Sequence, residues 1–74
     1  MDEKMRIMIV DDEMIVRESF YHWFKKSGHL VETAASGFEA LEKLNEVACD
    51  LLFVDIKMPG MDGLELLEKI KADY

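Results

Sequence analysis

The sequence predicts an α/β fold, a parallel and doubly wound sheet built in the order β-α-β-α-β-α, on three observations. Two apolar runs without polar alternation, Arg6-Ile7-Met8-Ile9-Val10 and Leu51-Leu52-Phe53-Val54, read as strands buried on both faces. Segments with helical spacing alternate with the strand-like ones, and short connections between them imply right-handed crossovers in a parallel sheet. Each of the two apolar runs also stops abruptly at aspartate, Asp11-Asp12 after the first and Asp55 after the other.

Taken in order, the first strand covers Arg6 to Val10. Met14 to Ser27 follows as an amphipathic helix, with Val16, Phe20, Trp23 and Phe24 as its core stripe, Lys25-Lys26 complementing the dipole and Gly28 as the stop. His29 to Ala35 is strand-like, but Glu32 and Thr33 make it polar enough for a sheet edge. Ser36-Gly37-Phe38-Glu39 is a capping-box pattern that opens a second helix running to about Glu46, with Phe38, Leu41 and Leu44 facing inward. Asp50 to Asp55 repeats the theme of a buried strand ending in a carboxylate. Met58-Pro59-Gly60-Met61 is a turn, in which Gly60 permits a positive φ. Asp62 then caps a third helix with Glu65 at its third position and Leu66, Leu67 and Ile70 on the inner face.

Length and composition bound the function. The 74 residues contain no repeat or linker, so residues 1–74 are expected to form one unit, and a chain this short buries only roughly 60 to 65% of its unfolded surface. Nine Lys and Arg against sixteen Asp and Glu give a net charge of −7, which argues against nucleic acid or an anionic membrane surface as a direct partner. No apolar run approaches the roughly 18 residues of a membrane span, and the acidic start lacks a signal-peptide layout. The single Cys49 forbids an intrachain disulfide and fits a reducing, cytoplasmic compartment. It reads as a small core hydrophobe. His22 and His29 read as surface and loop residues, with no nucleophile paired to either.

The chemistry sits at the strand ends. Doubly wound sheets bind ligands beyond the carboxyl ends of their strands at the switch point, which in a 2-1-3 order lies between the first and third strands. Those two strands end in Asp11, Asp12 and Asp55. A single aspartate after a strand is most often a turn or helix cap, but three converging in one place are more specific. At about 5 Å and an effective dielectric near 20, each like-charge pair repels by roughly 3 kcal/mol. A raised carboxylate pKa, a lysine neighbour or a hard divalent cation such as Mg²⁺ would compensate. Beside such an ion a carboxylate can attack phosphorus and form an acyl phosphate, and Asp55 is the natural candidate.

Through Ile9-Val10-Asp11-Asp12-Glu13, Ser36-Gly37-Phe38-Glu39-Ala40-Leu41 and Leu52-Phe53-Val54-Asp55-Ile56-Lys57-Met58-Pro59-Gly60-Met61-Asp62-Gly63-Leu64-Glu65, the chain resembles the response regulator receiver domain of two-component systems. The resemblance implies a flavodoxin-like fold and a phosphoacceptor function, with Asp55 taking a phosphoryl group from a histidine kinase phosphohistidine. It also implies that Asp12, Asp55 and the Lys57 backbone carbonyl ligate Mg²⁺ directly, that Asp11 acts through a coordinated water, and that the Lys57 side chain influences access of water to the acyl phosphate. Such a module is a self-catalysed phosphoacceptor more than a turnover enzyme. A phosphatase using an aspartyl intermediate is disfavoured, because Asp55-Ile56-Lys57 has no second carboxylate at the two-residue offset.

The departure from the family pattern comes at Tyr74. Receiver domains continue into a fourth strand with a hydroxyl switch residue and a fifth with an aromatic switch and a catalytic lysine. The expectation is therefore an N-terminal part of a receiver domain, its third strand left as an open apolar edge, with an output domain in a longer parent. Such an edge is a pairing site, so a homo-oligomer joined along it is expected. The alternative is a phosphorylation-incompetent interaction or dimerisation module.

Overall fold

The computed structural model describes residues 4–73. The elements run β1 (Arg6–Val10), α1 (Met14–Lys26), β2 (Leu30–Ala34), α2 (Gly37–Leu44), β3 (Leu51–Val54) and α3 (Gly63–Asp73). The three strands form one parallel sheet in the order β2-β1-β3, as the sequence predicts. Register pairs Val10 with Ala34 on one side and with Val54 on the other, so all three strands end level.

β1 lies at the centre because it can be buried on both faces. Ile7, Met8, Ile9 and Val10 are each at most 1% exposed. Alternation divides them: Met8 and Val10 enter the main core with Ala34, Ala40, Met58, Met61 and Leu66, flanked by Leu41, Leu44, Leu52, Val54 and Ile70. This core fills the space between the sheet and the pair α2 and α3. The opposite face is covered by α1, where Phe53 of β3 stacks on Phe20 and Phe24 with ring centroids 5.9 and 5.3 Å apart.

The α1 stripe departs from expectation. No residue of α1 is fully buried; Val16 and Phe24 are half-buried, whereas Phe20 is 41% and Trp23 68% exposed. The inward side is centred on Arg17 and Phe24, and Trp23, one residue before Phe24, stands about 100° round the helix from it. The same one-residue step exposes Phe38, which lies over the Gly60 turn, while Gly37, Ala40, Leu41 and Leu44 face the core. It likewise exposes Leu67 beside the buried Leu66.

Helix ends follow the local chemistry. α1 stops in a Schellman motif: the His29 N–H donates to Phe24 O, the Gly28 N–H to Lys25 O, and Gly28 takes φ +93°. α2 opens on Ser36, whose Oγ accepts from the Glu39 N–H, while Glu39 Oε1 accepts from the N–H of Ala35 rather than of Ser36 itself. α3 opens on the reciprocal pair Asp62 and Glu65, at 2.9 and 3.2 Å.

The Ala35 N–H, helped by Lys43, holds the Glu39 carboxyl below its ordinary pKa. A lowered folded-state value means that Glu39 adds stability above its unfolded pKa and that this is lost as pH falls through the folded value. Glu39→Gln is expected to cost less than about 1 kcal/mol at neutral pH, since the carboxylate is screened by solvent. It should also flatten the acid limb of a urea-midpoint against pH curve; an unchanged limb would remove Glu39 from the account.

Candidate functional site

The sheet ladder itself places the carboxylates. Beyond the last residue of β1, the Asp11 N–H donates to Ala34 O at 3.1 Å; beyond the last residue of β3, the Asp55 N–H donates to Val10 O at 2.9 Å. Each aspartate is thus one rung past its strand and cannot slip without breaking that rung. Their side chains are turned back by the same device. Asp11 Oδ1 accepts from the Glu13 N–H at 2.9 Å and Asp55 Oδ1 from the Lys57 N–H at 3.2 Å, an Asx turn at both strand ends.

Asp11, Asp12 and Asp55 come together as the sequence predicts, with one ligand atom from each lying within 4.8 Å of the others. Asp11 and Asp55 are half-buried and Asp12 is exposed. Among the described residues the ion pairs are those of Lys43, which meets Glu39 at 3.3 Å and Glu32 at 4.0 Å. Among the described residues no Lys or Arg pairs with the three carboxylates. The donor set is hard oxygen and open to solvent on the Asp12 side, which suits a small divalent cation that keeps waters. Lys57, the fourth site residue expected from sequence, is exposed on the segment after Asp55, with its main chain beside the cluster.

Two supports of the site escaped sequence reasoning. Arg17 Nη1 donates to the Asp11 carbonyl at 2.9 Å. The signal was its position in the second turn of α1, since helix side chains lean toward the N-terminus and hence toward the Asp11 loop. Gly63 brings α3 against the acceptor strand: its N–H donates to Ile56 O at 2.9 Å, and a Cβ there would lie 2.6 Å from Asp55 O. A glycine directly after a cap, where better helix formers are available, was its signal.

Other candidate chemistry falls away. An apolar cleft of about 280 Å³, lined by Leu44, Cys49, Leu52 and Ile70 among others, lies at the opposite end of the strands. Cys49 within it is half-buried, not fully buried as expected, and burial pushes its thiol up, away from the reactive thiolate. His29 accepts the Met5 N–H on Nδ1, a structural bond, and His22 lies edge-on to Tyr21.

An open parallel sheet with carboxylates gathered at its switch point defines a doubly wound domain whose working end is acidic. The family model described as the response regulator receiver domain matches residues 7–74, and the chain belongs to this family. Sporulation initiation phosphotransferase F of Bacillus subtilis is 41% identical over 72 residues, spanning 97% of this chain and 56% of that protein. Protein-glutamate methylesterase/protein-glutamine glutaminase 2 of Caulobacter vibrioides is 42% identical over 69 residues, spanning 92% of this chain and 20% of that one. Among solved structures, response regulator protein TrrA from Thermotoga maritima in complex with Mg²⁺-BeF superposes with a TM-score of 0.86 at 40% identity, over 95% of this chain and 60% of that one. The N-terminal domain of a response regulator receiver protein from Methanoculleus marisnigri gives 0.92 at 41%, over 96% and 58%. The chain therefore spans from about a fifth to three-fifths of these relatives. Among the described residues no helix is long and apolar enough to cross a membrane.

Proposed function

We propose that residues 1–74 are the N-terminal part of a receiver domain and that Asp55 is its phosphoacceptor. The observation that carries the reading is the convergence of Asp11, Asp12 and Asp55 within 4.8 Å at the carboxyl ends of β1 and β3. A histidine kinase is the donor, an output domain in a longer parent is the recipient of the signal, and the reaction belongs to the cytoplasm. In this reading Asp11, Asp12, Asp55 and the Lys57 carbonyl would hold Mg²⁺. A divalent cation held by these residues would supply Lewis-acid stabilisation of the charge on the transferred phosphoryl group.

The residues perform the rest. Oδ1 of Asp55 is engaged by the Lys57 N–H, which leaves Oδ2 to attack phosphorus. The new bond is an acyl phosphate P–O bond, the P–N bond to the donor imidazole breaks with its electron pair staying on nitrogen, and that nitrogen takes a proton from solvent. Position comes from the Asx turn and the ladder rung, which hold the nucleophile in place before the donor arrives. Asp55 is consumed and restored on hydrolysis, so the chain is a self-catalysed substrate of the relay and not a turnover enzyme.

The test is incubation with acetyl phosphate and Mg²⁺, then intact mass spectrometry for the added phosphoryl group and, to locate it, peptide mass spectrometry after borohydride reduction, which releases phosphate and leaves homoserine at the modified position. A single phosphoryl group on Asp55, absent when EDTA replaces Mg²⁺, is the expected result. A second reading, a phosphorylation-incompetent module that pairs with itself along β3, is favoured by one observation: Leu51 and Phe53 on that strand are 37% and 38% exposed. An unmodified Asp55 in a protein that sediments as a dimer would select it and reject the first.

A further inference from the structure

Asp11 is held at three points: its N–H by Ala34 O, its Oδ1 by the Glu13 N–H and its carbonyl by Arg17 Nη1. The first two fix Asp11 itself. The third acts on its neighbour, because the Asp11 carbonyl and the Asp12 N–H belong to one rigid peptide plane. Asp12 is exposed, and among the described residues its carboxylate has no hydrogen bond or ion pair to set its direction. Where that carboxylate points therefore depends on the tilt of the plane that leads into it.

We propose that Arg17 is a positioning residue that aims the Asp12 carboxylate at the cation site it shares with Asp11 and Asp55. The inference rests on reading that cluster as a Mg²⁺ site. Arg17 is built into its place: its own N–H makes a helical bond to Glu13 O at 3.1 Å, and its stem lies with Met14, Tyr21 and Thr33 in the cleft between α1 and β2. From there the side chain of half-buried Arg17 reaches back along the helix to the Asp11 carbonyl. The guanidinium meets the Asp11 carbonyl and pairs with none of the three carboxylates, so it leaves them open to a cation.

The test follows Mg²⁺ titrations by amide NMR in the wild type, Arg17→Met and Arg17→Lys, reading the Glu13 and Lys57 N–H resonances that report on Asp11 and Asp55. Methionine keeps the apolar stem and removes the donor. The Mg²⁺ Kd of Arg17→Met is expected to rise about tenfold, the low end of what losing an outer-shell partner costs, and Arg17→Lys to recover part of the loss. Melting temperatures in EDTA are taken on the same samples. A purely structural Arg17 lowers those temperatures and leaves Kd at the wild-type value, and that outcome overturns the inference. If Arg17→Met does not fold, Arg17→Lys decides: a Kd measurably above wild type supports the proposal and an unchanged one overturns it. Wild-type resonances that ignore Mg²⁺ overturn the cation reading and this inference together, a result distinct from a responsive wild type with equally responsive variants.

Discussion

Asp55→Asn is expected to abolish phosphoryl incorporation and to raise the melting temperature of the metal-free protein. The two effects have one cause. Three carboxylates whose ligand atoms lie within 4.8 Å repel by roughly 3 kcal/mol per pair before screening, and among the described residues no protein cation pairs with them. Water and salt reduce that sum, because Asp12 is exposed and Asp11 and Asp55 are only half-buried. A net gain of about 1 kcal/mol is expected, which for a domain of this size is roughly 4 to 8 °C in Tm. Asparagine keeps an oxygen for the Lys57 N–H, so the turn after β3 survives the change. Thermal melts in EDTA and in Mg²⁺ read both sides: the variant starts higher and gains less from the cation. A variant that melts below wild type in EDTA would show that the carboxylates are not in mutual conflict.

Gly63→Ala is expected to destabilise by about 1 to 3 kcal/mol, out of a total that for 74 residues is on the order of 4 to 11 kcal/mol. The sign is the test. Helix propensity alone favours alanine over glycine by about 1 kcal/mol, so a surface position would be stabilised. Here the added methyl meets Asp55 O at 2.6 Å and Ile56 Cα at 2.8 Å, and these are backbone atoms that cannot turn aside as a flexible side chain would. Relief requires α3 to back away, which breaks the bond from the Gly63 N–H to Ile56 O and draws Met61 and Leu66 from the core. A denaturant midpoint at or above wild type would mean that α3 does not seat against the acceptor strand. Because the clash falls on the peptide that leads out of Asp55, phosphorylation should slow together with the loss of stability.

Elements with one dominant signal were readable from sequence, and those decided by small differences were not. The unbroken apolar run of β1 could only be a central strand, and the aspartates after β1 and β3 followed from that placement. Polar β2 fell at an edge because Glu32 and Thr33 would be costly inside. Capping at Ser36 and Asp62 was legible because the bonding partners stand three residues away. The faces of α1, α2 and α3 were harder. Trp23, Phe38 and Leu67 each lie one residue from a truly inward position, and an apolar stripe in a sequence is wide enough to include both. The Arg17 bond to Asp11 and the approach of Gly63 to Asp55 depend on how a helix seats on a strand, at which the second-turn position of Arg17 and the glycine after the Asp62 cap only hint.

The 68% exposure of Trp23 has an optical consequence. It is the only tryptophan in the chain, and it stands on the outer side of α1. Its indole emits from water in the native protein much as it does in the unfolded one, so intrinsic fluorescence follows quencher access at the helix surface. The stacked rings of Phe20, Phe24 and Phe53, one helix face away, are the chromophores that sense whether β3 has docked.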